Sequence, residues 1–387
     1  MPRSHNGRTS TLTKWTQSRV SLVLLVVIGG TAVGVDWLAE NQRLADRISS
    51  WDLKRFINNE ELYMNRGNFL EFEDRLLVDE IPHADYSKGG VYFFGSSDLK
   101  WAMKTWELPP DERALIGNYG IGAISHSLEF QFVRYLVEER GLLGAGGEKT
   151  HIVLGASWSN ALNWSPDSYF GPIWRRHRLY TYSIKDGIHP AAMNRLEKFV
   201  RFKQARCSGF IGGNFNRLAR FMMTKLGQPL EETERLKDPG EIQEWVRAHY
   251  GPITWRESLT AQMEALGQLI DYLQARDVGV TIVLLPYRRA IEDLPLTVAY
   301  RTEVGALCKA RSVRLVDMSR SLSEDEFWDI NHVNYRGLSK TNAVLMDIAT
   351  EHLRRAGLLP SGHAARRSRP DETDTAMPAS ADDPRTE

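Results

Sequence analysis

The chain has 387 residues, with 49 Lys and Arg against 49 Asp and Glu, and it is 42% hydrophobic and 25% charged. That balance excludes a collagen-like or fully disordered chain and argues against capture of nucleic acid through net charge, so no nucleic-acid partner is expected. The length suits about two to three domains, or one elaborated α/β domain with tails.

In chain order, residues 1–19 carry Arg3, Arg8, Lys14 and Arg19 and no acidic residue. Val20 to Val35 is uncharged and apolar, and the run extends through Trp37 to Ala39. A membrane span needs about 20 residues, so the flanks must sit at the interface, where Trp15 and Trp37 are suited to lie. The one-sided basic flank predicts a cytoplasmic arm (1–19), a single-pass anchor (20–39) in the inner or plasma membrane, and a periplasmic or extracellular remainder. A cleaved signal peptide is the rival, disfavoured by the long basic arm and the lack of a small-x-small cleavage site. A buried core helix would not carry such a flank.

Residues 40–88 are polar, with Leu44, Ile48, Trp51 and Phe56 at roughly helical spacing, which predicts a juxtamembrane helical region. Residues 89–359 then alternate. Strands are expected at Val91–Phe94, Ala114–Ile116, His151–Leu154, Val280–Leu285 and Val313–Val316. Helices are expected at Ile124–Arg140, Leu259–Arg276, Val298–Arg311 and Leu338–Arg355. This pattern implies a parallel sheet covered on both faces, with ligands at the carboxyl ends of its strands. Residues 360–387 are rich in Pro, Ser, Asp and Arg and read as a disordered tail. Cys207 and Cys308 are the two cysteines, and spacing leaves open whether they pair or stay as free thiols.

Two segments bear chemistry. Phe93 to Leu99 reads FFGSSDL, placing Gly95, Ser96 and Ser97 where a buried strand turns into a helix. A serine there suits a nucleophile if a base reaches it, although serine is also an ordinary helix cap. Trp328 to Gly337 reads WDINHVNYRG, with Asp329 three residues before His332, a spacing that lets the carboxylate orient the imidazole. The plainer reading is a loop aspartate and a surface histidine. Asp317 is a reserve acid, and His126 either lines the site or starts a helix. The remaining histidines show no His-x-x-x-His pattern and the cysteines no Cys-x-x-Cys, so neither metal nor cofactor is expected.

In the order of these motifs the chain resembles the SGNH (GDSL-like) hydrolase superfamily over roughly residues 90–355. Ser97 matches its nucleophile, Gly120 in Asn118-Tyr119-Gly120 its second block, and Asp329 with His332 its last. The resemblance implies a flavodoxin-like three-layer α/β/α fold and acyl transfer through an acyl-serine. It also implies an oxyanion hole shared by Gly120 and an asparagine. The third block departs from the pattern: Gly155-Ala156-Ser157-Trp158 has no asparagine in register, leaving Asn160 or Asn163 to supply the donor. The anchor and the Gly-Ser-Ser-Asp turn look most like membrane-anchored members that modify cell-surface polymers, the teichoic-acid D-alanine transfer protein and polysaccharide O-acetyltransferases among them.

Between the third strand and its helix lies a long insertion, about 158–255, which must carry structure of its own. Trp158, Trp164, Arg175 and Arg176 stand among further aromatics there. Aromatic faces stack on sugars and arginines bind anionic groups, so a glycan-binding lid is one reading, and a small core of the insertion is the other. The expected function is that of a serine O-acyltransferase or esterase on an exported or envelope polysaccharide, with a membrane acyl-donor exporter as a partner. The rivals are a non-catalytic scaffold of the same fold and a glycan-binding module.

Overall fold

The computed structural model describes residues 81–162, 180–204 and 255–359 with short gaps, together with residue 76 and parts of 21–34 and 240–246. Five strands form one parallel sheet: β1 (Gly90–Gly95), β2 (Ile116–Gly120), β3 (Thr150–Ala156), and, beyond the insertion, β6 (Gly279–Leu284) and β7 (Arg314–Asp317). Their spatial order is β2-β1-β3-β6-β7. The intervening β4 (Tyr180–Ser183) and β5 (Gly187–Pro190) pair with each other as an antiparallel hairpin. The helices whose apolar faces cover the sheet are α1 (Ser97–Ala102), α2 (His126–Arg140), α3 (Trp255–Gln274), α4 (Pro295–Ala310) and α5 (Tyr335–Arg355). This is an α/β fold.

Side chains alternate across each strand, so the two-residue period sorts the core into two layers. Tyr92 and Phe94 of β1 join Leu154 of β3 and the apolar stripes of α2, α3 and α4 on one face. Val91 and Phe93 join Val153 and the stripes of α1 and α5 on the other. A strand buried on both faces reads as a continuous apolar run, which is why Val91–Phe94 stood out in the sequence.

The second strand differs from its expected position. Ala114 and Leu115 lie in the turn after a short helix, Pro110–Arg113, and the strand itself runs through Asn118, Tyr119 and Gly120. Register with β1 decides this, because Gly95 aligns with Gly120 on one side and with Gly155 of β3 on the other. The three glycines form a row at the carboxyl edge of the sheet. A Cβ on Gly120 would stand 2.7 Å from the backbone N of Lys100, and one on Gly155 would stand 3.0 Å from Cβ of Leu99. The row therefore lets α1 settle directly onto the sheet edge.

No helix among the described residues is long and apolar enough to cross a membrane. The described positions between 21 and 34 are helical, with Leu22, Val26, Val27 and Val33 exposed, and the rest of the expected 20–39 span lies outside them. The expected arm (1–19) and tail (360–387) also lie outside the described residues, as does most of the expected 40–88 helical region; of its described end only Ile81–His83 is helical, and 84–88 is loop and turn. Leu76 is described, and it is buried in the main core. Cys308 is a free buried thiol whose pKa burial pushes up to about 11, and Cys207 lies outside the described residues.

Candidate active site

Ser96 is the N-cap of α1, and its Oγ accepts the N–H of Asp98 at 3.3 Å. Capping thus falls to Ser96, and Ser97, the first helical residue, keeps its hydroxyl for another partner. The far end of α1 is tied to α5: the Lys104 N–H donates to Asn342 Oδ1 at 2.7 Å, and Thr341 Oγ1 donates to the Ala102 carbonyl at 2.9 Å.

Just before α5, an isolated bridge between Phe327 and Val333 closes a loop over a small core of Leu322, Phe327, Val333 and Leu338. Inside the loop, Asp329 Oδ1 accepts the N–H groups of Asn331 (3.1 Å) and His332 (2.9 Å). The other oxygen, Oδ2, lies 2.7 Å from His332 Nδ1, and His332 Nε2 lies 2.8 Å from Ser97 Oγ. Three expected residues from two ends of the domain are thereby joined in one hydrogen-bonded chain. Asp329 accepts at Nδ1, so that nitrogen carries the proton and Nε2 is left to accept from Ser97.

Burial opposes the imidazolium of His332, but the carboxylates of Asp329 and Asp98 outweigh it and hold the pKa above the ordinary histidine value of 6.5. For Asp329 burial acts upward, and His332 together with the two backbone N–H groups outweighs it, so its pKa is lowered.

Several expected site residues are placed elsewhere. Gly120 donates its N–H to Asn118 Oδ1 at 3.1 Å, so the expected oxyanion donor is engaged at home, and the glycine serves close packing of α1. Asn160 is fully buried; its Oδ1 accepts the Ser157 N–H at 2.8 Å and its Nδ2 donates to the Ile124 carbonyl at 2.7 Å. That makes it a brace of the loop after β3, which corrects its expected oxyanion role. Trp158 is 2% exposed and packs in the main core, so it is not a lid residue. Asn163, Trp164, Arg175 and Arg176 lie outside the described residues.

The reserve acid Asp317 accepts the N–H of Ser319 at 2.9 Å and caps its own strand. His126 is fully buried, 2.8 Å from both Glu129 Oε2 and Tyr300 OH, and does not line a solvent-facing site. Among the described residues no group of three or more His, Cys, Asp or Glu is placed to hold a metal ion.

Asp98 is the site residue that sequence reasoning passed over. Its side chain is 2% exposed, and Oδ1 stands 3.6 Å from His332 Nε2. Asn331 Nδ2 donates to the same oxygen, and Ser159 Oγ donates to Oδ2 at 3.4 Å. An acid directly after the serine was visible as Gly-Ser-Ser-Asp, yet nothing local told that it points inward.

No protein-family model matches the chain, and no curated protein does. Among solved structures it is similar to the crystal structure of a "putative acylhydrolase" from Bacteroides fragilis, at 13% identity and a TM-score of 0.37, covering 73% of this chain and 96% of that one. A likeness at that level assigns no chemistry here; the strand order and the side-chain geometry carry the reading that follows.

Proposed function

We propose that the protein is a serine-dependent acyl-transfer enzyme, an esterase or O-acyltransferase of the SGNH type with a flavodoxin-like three-layer domain. The observation that carries this is the continuous chain Ser97 Oγ, His332 Nε2, His332 Nδ1, Asp329 Oδ2, with links of 2.8 and 2.7 Å. Ser97 Oγ attacks an ester carbonyl while its proton passes to Nε2, and Asp329 stabilises the imidazolium. The tetrahedral intermediate then expels the alkoxide, which takes the proton from Nε2. Water or an acceptor hydroxyl, deprotonated by the same nitrogen, attacks the acyl-serine and frees Ser97. The N–H of Ser97, first in its helix and so without an intrahelical acceptor, is an available oxyanion donor.

Acylated polysaccharide of the envelope is the proposed substrate, with the domain held outside the membrane by residues 20–39 and supplied by a membrane acyl-donor exporter. The basic arm and apolar run support the anchor, and the aromatic and arginine-rich insertion supports the glycan. Ester hydrolysis by the wild type on an aryl acetate, abolished in Ser97→Ala with unchanged circular dichroism, tests the chemistry. Equal rates in both proteins would refute it.

A specific observation favours one rival, a non-catalytic scaffold of this fold: the Gly120 N–H and the Asn160 amide are both engaged locally, leaving the expected oxyanion hole incomplete. A wild type that neither turns over esters nor reacts at Ser97 would favour it.

A further inference from the structure

We propose that Asp98 is a positioning residue for the base: its buried carboxylate faces the Nε2 side of His332 as Asp329 faces the Nδ1 side, and so governs how readily the imidazole is released to accept from Ser97. The inference rests on the acyl-serine reading and concerns its regulation by charge.

Geometry makes the placement specific. Asp98 is the residue after the nucleophile, and the helical turn that exposes Ser97 turns Asp98 inward to 2% exposure. Oδ1 lies 3.6 Å from Nε2, while Ser97 Oγ lies 2.8 Å from the same nitrogen. With neutral His332, Nε2 has a lone pair and engages Ser97. With protonated His332, the Nε2–H gains a carboxylate neighbour and no longer accepts from the serine. Asp98 therefore weights the balance toward the inactive, protonated base at rest and toward the imidazolium formed when Ser97 gives up its proton.

The carboxylate is held off direct contact by its other partners. Asn331 Nδ2 occupies Oδ1, and Ser159 occupies Oδ2. Burial holds the Asp98 pKa above the ordinary carboxylate value, while the neighbouring His332 and the Ser157 and Ser96 hydroxyls work the other way and favour its charged form. Asn331 sits between Asp329 and His332, so this contact also pins the loop carrying acid and base to the helix carrying the nucleophile. The charged groups that act on His332 are Asp329 from its own loop and Asp98 and Lys100 from α1, and Asp98 in turn acts electrostatically on Tyr300 of α4.

Two variants move the base in opposite directions. Asp98→Asn keeps the shape and an acceptor for Asn331, and the serine hydroxyls can rotate to accept, but the charge is gone. Asn331→Ala frees Oδ1 for Nε2–H and keeps the backbone bond to Asp329. The titration of His332 is followed by NMR in the full-length chain with labelled histidine, assigned by His332→Ala. The expected midpoint falls by about 1 unit or more in Asp98→Asn and rises in Asn331→Ala. A midpoint unmoved in both variants would overturn the proposal. Because the readout is the imidazole itself, loss of ester turnover in the wild type would strike the acyl-serine reading without touching this result.

Discussion

His332 Nε2 and Ser97 Oγ stand 2.8 Å apart although 235 positions separate them in the chain. The contact depends on two local devices, the Ser96 cap that leaves Ser97 uncommitted and the Asp329 turn that holds the imidazole upright. It also depends on the bonds from α5 to the end of α1, which keep the two segments side by side.

Removing the hydroxyl or the orienting acid should therefore cost activity and little else. Asp329→Asn is expected to lower kcat about 10⁴-fold, the size seen when a triad loses its tautomer, and Ser97→Ala about 10⁶-fold, the size seen when it loses its nucleophile. Steady-state kinetics on an aryl ester, with urea unfolding to verify the fold, measures both.

The proposed mechanism requires neutral His332, whose flanking carboxylates outweigh burial and raise its pKa above 6.5. The rate should fall as pH drops through that raised value, so the acid limb of kcat/KM lies above 6.5. The same shift contributes stability that is complete below the unfolded value and is lost as pH rises through the folded one. A limb at or below the ordinary histidine value would contradict the assigned surroundings of the base.

Much of this arrangement was legible in the sequence, and the reasons differ by element. Strands buried on both faces announce themselves as apolar runs, so β1 and β3 fall within one or two residues of expectation, and β6 and the partly exposed edge strand β7 do so as well. The second strand shifted because Gly117, Asn118 and Gly120 carry no strand propensity; register with β1 imposes their conformation. Ser97, Asp329 and His332 were readable because a serine turn after a strand and an Asp-x-x-His spacing are local signals. The side-chain bonding of Asn160 and Gly120 and the inward turn of Asp98 arise from contacts between distant segments, which local pattern does not report.

The glycine row predicts a coupling between packing and chemistry. In Gly120→Ala the new Cβ would meet the Lys100 backbone N at 2.7 Å, so α1 must move away from the sheet. Overpacking of this kind costs about 1–3 kcal/mol. Urea unfolding should register that loss, and kcat should fall with it because Ser97 rides on the displaced helix.

At the opposite edge of the sheet, His151 stacks on His352 with ring centroids 4.3 Å apart. Burial, then the charge of His352, lowers the His151 pKa to about 3. The unfolded chain binds a proton below its ordinary value of 6.5 that the folded chain refuses, so stability declines as pH falls through that window. The expected slope is up to about 1.4 kcal/mol per pH unit. Denaturant titrations at neutral and mildly acid pH should show it in the wild type and a shallower slope in His151→Asn.

Trp158 separates a core role from a lid role. Trp158→Ala should destabilise the fold by about 3–5 kcal/mol, as expected for a buried aromatic. The milder Trp158→Phe should lower Tm and leave polysaccharide binding unchanged, whereas weakened binding at unchanged Tm would restore the lid reading.

The most direct measurement is covalent labelling of the full-length protein with a fluorophosphonate, followed by mass spectrometry of the modified peptide, with His332→Ala as control. Labelling is expected at Ser97 and should disappear in the control. A well-folded wild type that takes no label at Ser97, or takes it equally without His332, would contradict an activated serine.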